Sequence, residues 1–103
     1  MNTQFAHQKF KTAVLALSTD LPLGEKIINA VSESLIHIHN DDLPDGIVKD
    51  FRKFMDNLTC VEPKNDNEGK IRATVNSLSE KRLTEVAGKI IYMHNFLFKA
   101  LSA

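Results

Sequence analysis

Residues 37–45, HIHNDDLPD, place two imidazoles and three carboxylates within nine positions of the chain. Histidine and aspartate side chains bind transition metals and can act as acid–base pairs. His37 and His39 are two residues apart, however, so on a helix they point about 200° away from each other and cannot share a metal from one face. A helix junction explains the segment better. His37 would lie in a last turn, Asn40 would end that helix in the left-handed conformation, and Asp42 would cap the next helix.

His94 is the histidine at the less expected position. At 100° per residue it falls near the centre of the apolar stripe of the C-terminal helix. A buried imidazole needs hydrogen-bond partners, which a backbone carbonyl or a polar side chain usually supplies. A role in ligand binding or catalysis would need a facing titratable group, which the sequence does not identify, and His7 carries no specific signal. A metal or small-ligand site using His94 or His37 is therefore the third of three functional hypotheses. The other residues of the stripe are Leu83, Ala87, Ile90, Leu97 and Leu101.

Motifs for catalysis and for cofactor binding are absent from the sequence. Cys60 is the only cysteine, which excludes an intramolecular disulfide, and it lies in no recognisable nucleophile motif. Ser77 and Ser79 are better explained as residues at helix starts. There is no glycine-rich phosphate loop, HExxH or CxxC. The sequence therefore predicts a protein that is not an enzyme and holds no cofactor or metal.

Length and composition predict one ordinary globular domain covering residues 1–103. Hydrophobic residues make up 43% of the chain, and 13 basic residues balance 13 acidic ones. A neutral chain has no overall field to attract nucleic acid or anionic lipid, so such contacts would need a local patch. No apolar run is long enough for a signal peptide or a membrane span, so we expect a cytoplasmic protein without membrane contact.

Apolar residues recur at helical spacing throughout the chain, which predicts an all-α bundle of about five helices. The first two helices should cover about residues 3–18 and 22–39. The third should present an apolar arc that ends near Leu58. A short fourth helix and a long fifth, Glu80 to about Leu101, should complete the bundle, the fifth as its central strut. The arc of the third helix consists of Ile47, Val48, Phe51, Phe54, Met55 and Leu58.

Two connections have clear sequence signals. Residues 59–69, TCVEPKNDNEG, combine proline, glycine and asparagine without periodicity and predict the longest loop. Ser79 fits the N-cap of the fifth helix, with Leu78 and Leu83 at the two positions of a hydrophobic staple.

Apolar residues on otherwise polar helix faces suggest an interaction surface. Ile36 falls on the polar back of the second helix, while Tyr92 and Phe96, one turn apart beside Gly88, lie opposite the main stripe of the fifth. Exposed aromatic residues often mark protein contacts. A central helix covered on both sides would instead bury Tyr92 and Phe96 inside the bundle. The first functional hypothesis is a protein-interaction module, with a homodimer as one form, that uses these four residues.

Basic residues around the junction of the fourth and fifth helices support the alternative, a small nucleic-acid-binding or regulatory protein. In a helix–turn–helix the recognition helix presents its N-terminal residues to the major groove. The helix after Ser79 is too long and too apolar for that role, and nearby glutamates dilute the charge. The basic residues concerned are Lys70, Arg72, Lys81 and Arg82.

Residues 42–59, DLPDGIVKDFRKFMDNLT, and 68–90, EGKIRATVNSLSEKRLTEVAGKI, resemble short all-helical bacterial proteins of unknown function, some near mobile elements. The shared features are helix caps and core positions rather than catalytic residues. The resemblance implies a bacterial origin and no activity, and it assigns no functional residue.

Overall fold

Five α-helices and no β-strand make up the regular structure of residues 2–65 and 68–102, the part of the chain that a computed structural model describes. The predicted all-helical bundle with a long C-terminal helix is confirmed. Two short 3₁₀ turns, Leu35–His37 and Asn40–Asp42, connect the second and third helices. The helices are α1 (Thr3–Leu17), α2 (Leu23–Glu33), α3 (Asp45–Asn57), α4 (Gly69–Asn76) and α5 (Glu80–Ser102).

Helix α1 makes the most extensive contacts of the bundle, with α5 and with α2, and α2 and α5 also contact each other. Phe10 of α1 is fully buried, and its ring meets that of Phe51 in α3 edge-on, with centroids 5.9 Å apart. Such an edge-to-face pair stabilises more than its buried area alone. The predicted apolar arc of α3 is confirmed, because four of its residues are buried and the other two pack against the core. The buried four are Ile47, Phe51, Phe54 and Leu58.

Helix α2 is shorter than predicted, since it ends at Glu33 and not near residue 39. The residues that follow include serine, β-branched isoleucines and histidines, all of which have modest helix propensity. The chain tightens into a 3₁₀ turn instead, in which residues three apart lie on the same side. Leu35 and Ile38 are both buried in this way, while Ile36 between them stays half exposed.

The HIHNDDLPD segment forms a junction, as expected, but by other means. No residue except glycine has positive φ among the described residues, so Asn40 does not stop a helix in the left-handed conformation. Asp42 does not cap α3, because α3 begins after Pro44 without a side-chain cap. The Asp42 carboxylate instead reaches back and accepts a hydrogen bond from the N–H of His39 at 3.0 Å. It therefore closes the second 3₁₀ turn.

The start of α5 agrees with the sequence. The Ser79 hydroxyl accepts a hydrogen bond from the N–H of Arg82 at 3.2 Å, which confirms the predicted N-cap. Leu83 is buried and Leu78 packs against the core, so both join the bundle at this junction. The cap fixes where α5 begins, and the burial of Leu83 fixes which side of its first turn faces the core.

The described part of the loop predicted over residues 59–69 is hydrogen-bonded to α4. The N–H of Val61 donates to the Thr74 hydroxyl at 3.0 Å, and Thr74 is almost fully buried. Helix α4 begins at Gly69, whose φ of +76° is in the left-handed region that glycine adopts at little cost. Residues 66 and 67 of this predicted loop lie outside the described part of the chain.

Candidate interaction surface on helix α5

One side of α5 packs into the core through Leu83, Ile90, Met93 and Leu97, and the opposite side is open. At 100° per residue, Glu80 at the start of α5 and six uncharged residues after it fall within an arc of about 80° on this open side. The six uncharged residues are all exposed. We call this set the outer face of α5; it consists of Thr84, Gly88, Ile91, Asn95, Phe98 and Ser102.

The outer face is uncharged and carries two large apolar side chains. Ile91 is 45% exposed and Phe98 is 56% exposed. Three more exposed residues follow its α3 side at a spacing of seven, which keeps them on one line along the helix. We call this line the flank; it consists of Glu85, Tyr92 and Lys99. The apolar strip is therefore bordered by a carboxylate near one end and an ammonium group near the other.

Gly88 leaves a gap in the outer face. A Cβ atom added to this glycine would have no neighbouring atom within 4 Å. The backbone does not require glycine here either, because positive φ occurs only at Gly69 among the described residues. Packing within the folded chain therefore does not explain the glycine, which costs about 1 kcal/mol relative to alanine inside a helix.

The structure separates the residues that the sequence grouped as a partner-binding site. Tyr92 is 59% exposed and borders a cleft between α3 and α5. Phe96 is half buried and packs against the core, with its Cζ atom 2.8 Å from the position that a Cβ would take at Gly46. Ile36, 50% exposed, lines grooves with residues of α2, α3 and α4 and none with α5. Gly88 and Tyr92 thus share the open side of α5, while Phe96 belongs largely to the α3 contact.

Sequence analysis missed Ile91 and Phe98, the two apolar residues of the outer face. It also assigned Leu101 to the buried stripe, whereas Leu101 is 43% exposed where α5 extends past the core. The seven-residue separation of Ile91 and Phe98, with Gly88 and Asn95 on the same arc, was the signal that could have identified them. Ala87 and His94, also placed in the stripe, lie half buried at its edge.

His94 faces a titratable group that the sequence did not indicate, His7 of α1. The two ring centroids are 5.1 Å apart with the planes tilted by 32°, and the Phe98 ring lies 5.9 Å from that of His7. His7 Nε2 is buried and has no hydrogen-bond partner in the part of the chain that the structure describes. Burial, reinforced by His94 and then Lys11, lowers the pKa of His7. Within the described residues no three His, Cys, Asp or Glu side chains are grouped closely enough to hold a metal.

Three of the four basic residues of the nucleic-acid hypothesis lie next to carboxylates. Arg72 donates to the Glu25 carboxylate through its two terminal guanidinium nitrogens, at 2.7 and 3.3 Å. Lys70 lies 3.6 Å from Glu62, and Arg82 lies 3.2 Å from Glu85. Lys81 is exposed. Local pairing of this kind reduces the positive potential that a phosphate backbone requires.

Comparison with known proteins finds no matching family model, no similar curated protein and no similar solved structure. Among the described residues, no helix combines the length and the apolar character needed to cross a membrane.

Proposed function

We propose that this chain is a cytoplasmic, non-enzymatic protein-interaction module that self-associates through the outer face of α5. The observation that carries the proposal is the exposure of Ile91 and Phe98, with Tyr92 beside them, on a helix face that carries no charge from Thr84 to Ser102. Contiguous apolar residues on a small protein commonly mark an interface, and aromatic residues are enriched in interface cores. The bacterial origin implied by the resemblance stays a prediction.

A second copy of the chain is the occupant that the charges favour. The chain carries no net charge, so two copies do not repel each other at long range. The flank holds one carboxylate, Glu85, and one ammonium group, Lys99, on the same line beside the apolar strip. A surface that contains both members of an ion pair can complement itself across a two-fold axis.

Sedimentation equilibrium over a wide concentration range tests the proposal. We expect the mean mass of the wild type to rise toward that of a dimer. Ile91→Ser, which removes an exposed apolar contact without touching the core, should raise the dissociation constant about tenfold. Leu21→Ser is the matched control, because Leu21 is 44% exposed but lies between α1 and α2.

A wild type that stays monomeric at every concentration would overturn self-association. Ile36→Ser tests the other predicted contact, since Ile36 is 50% exposed on a different side of the bundle. We expect this variant to dimerise like the wild type. If it dissociates while Ile91→Ser does not, the interface lies around the 3₁₀ turn after α2 and not on α5.

A further inference from the structure

We infer that the two copies dock through their α5 helices in antiparallel orientation, with the two-fold axis passing beside Tyr92. This arrangement rests on the proposed self-association and adds to it the direction and register of the partner helix. Two features of the outer face and its flank carry the inference: the placement of charge and the placement of side-chain size.

Glu85 and Lys99 are placed symmetrically about Tyr92. Glu85 precedes it by seven residues and Lys99 follows it by seven, so each lies about 10.5 Å from Tyr92 along the axis at 1.5 Å per residue. A two-fold axis that reverses the helix direction brings the same flank of both copies together. Glu85 of each copy then meets Lys99 of the other, which gives two ion pairs.

Small and large side chains of the outer face lie on opposite sides of Tyr92 along the helix. The N-terminal half of the outer face carries the small residues Thr84 and Gly88, and the C-terminal half carries Phe98. Relative to Tyr92, Phe98 lies about 9 Å in one direction, and Gly88 and Thr84 lie about 6 and 12 Å in the other. In the antiparallel pair each Phe98 ring therefore falls between Gly88 and Thr84 of the second copy. The empty space around Gly88 is where this ring would sit.

A parallel pair of α5 helices that met through the same outer face would use neither the placement of charge nor the placement of side-chain size. Phe98 would lie opposite Phe98 and Gly88 opposite Gly88, which leaves a collision at one level and a gap at another. The flank would face the other edge of the helix, where residues 87, 94 and 101 are alanine, histidine and leucine. Neither Glu85 nor Lys99 would then meet an opposite charge.

Glu85 is available for this contact despite its intrachain pair with Arg82. That pair is a 3.2 Å contact between neighbouring turns of α5, in which the Arg82 side chain is 70% exposed and the Glu85 side chain 45% exposed. Exposed pairs of this kind contribute little to stability, so the carboxylate can turn toward a second copy at small cost. Lys99 takes part in no ion pair within the described residues.

Charge reversal tests the register. Glu85→Lys and Lys99→Glu should each raise the dimer dissociation constant about tenfold, because two attractive contacts become repulsive. The double variant Glu85→Lys/Lys99→Glu restores both pairs with the signs exchanged and should return the dissociation constant to near the wild-type value. Absence of this rescue, in variants that still fold by circular dichroism, overturns the pairing of Glu85 with Lys99.

Disulfide cross-linking tests the direction, in a Cys60→Ser background with diamide as oxidant. In the antiparallel dimer, Gly88→Cys or Asn95→Cys alone places its two thiols roughly 9 Å or more apart along the axis, too far to bond. A mixture of the two variants brings position 88 of one copy next to position 95 of the other and should cross-link. Self-cross-linking of each single variant would identify a parallel dimer instead.

Self-association through α5 and the antiparallel register are contradicted by different results. A monomeric wild type removes the dimer and the register together. A wild type that dimerises and is weakened by Ile91→Ser, but shows no charge rescue and cross-links each variant to itself, retains self-association through α5 and overturns only the antiparallel register.

Discussion

The imidazole of His7 lies against that of His94, with 5.1 Å between the ring centroids, and so joins α1 to the C-terminal half of α5. The Nε2 atom of His7 is buried there and finds no hydrogen-bond partner among the described residues, and Lys11 lies one turn further along α1. A proton added to His7 would therefore place a positive charge near that of Lys11, in a contact that is partly removed from water. This contact between α1 and α5 should consequently respond to pH.

Acidification should destabilise the fold through His7. Burial lowers the pKa of His7, so the unfolded chain binds this proton more readily than the folded one. The free energy of unfolding should therefore fall as the pH drops below the unfolded value of about 6.5, and level off once the pH passes the lower folded value. Urea unfolding at a series of pH values measures this dependence.

His7→Phe keeps an aromatic ring at this contact and removes the proton-binding group. Its stability should lack the part of the pH dependence that belongs to His7. Lys11→Met removes one of the causes of the shift, so the pKa of His7, followed by its NMR ring signals, should rise. A pH profile that is identical in the wild type and His7→Phe would contradict this role for His7.

Substitution by alanine should show that Phe96 supports the fold and that Tyr92 is a surface residue. Phe96→Ala removes a half-buried ring that packs against the core beside Gly46, and should lower the free energy of unfolding by about 2 kcal/mol. Tyr92→Ala should lower it by less than about 0.5 kcal/mol, because the ring is 59% exposed. Chemical denaturation of both variants at low protein concentration distinguishes the two roles, and equal losses would place Tyr92 in the core.

Gly88→Leu should make the isolated chain more stable and the dimer weaker. Leucine is a better helix former than glycine by nearly 1 kcal/mol, and nothing lies within 4 Å of the added Cβ. In the antiparallel dimer the new side chain would occupy the position of the incoming Phe98 ring. Thermal unfolding and sedimentation of the same sample measure the two effects. A Gly88→Leu chain that dimerises as well as the wild type places the interface elsewhere.

The bidentate pair between Glu25 and Arg72 should stabilise the contact of α2 with α4 while the Glu25 carboxyl is ionised, and not in acid. The hydrogen bond from Arg72 is the main cause that lowers the pKa of Glu25, and it outweighs the partial desolvation that raises it. The stabilisation is therefore present above the unfolded pKa and is lost as the pH falls through the folded one. Glu25→Gln should be less stable than the wild type at pH 7, and the two should converge in acid. Glu62→Gln is the control, because the Glu62 side chain is 81% exposed and 3.6 Å from Lys70.

Asp42→Ala should cost about 1 kcal/mol through the loss of the hydrogen bond from the His39 N–H. Asp42→Asn keeps an acceptor oxygen at the same place and should retain most of the stability. Asp41→Ala, a change at the exposed neighbouring aspartate, is the comparison. If Asp41→Ala costs as much as Asp42→Ala, general charge near the turn and not this hydrogen bond is responsible.

Local signals in the sequence were sufficient for part of the fold. The apolar arc of α3 and the Ser79 cap both depend on residues within a few positions of each other, and both were predicted. The end of α2 was not, because the 3₁₀ turn that follows Glu33 buries Leu35 and Ile38, and that burial depends on the rest of the bundle.

The candidate surface was identified only in part for the same reason. Helical spacing placed Phe96 opposite the core stripe, but the position of α3 decides that Phe96 is covered while Phe98 is open. The contact of His7 with His94 joins the first and last helices, and spacing within either helix carries no information about it. Residues on one helix could be sorted by angle, but their neighbours on other helices could not be foreseen.

The extensive packing of α1 against α5 also constrains the order of folding. Loop closure between distant helices is entropically slower than pairing of neighbours, so α1 and α2 should associate before α5 arrives. Until then the side of α1 that carries His7 remains uncovered, because its ring neighbours His94 and Phe98 belong to α5. If the proposed self-association uses the outer face, the helix that completes the core is also the one that meets the second copy, so folding and association should be coupled through α5.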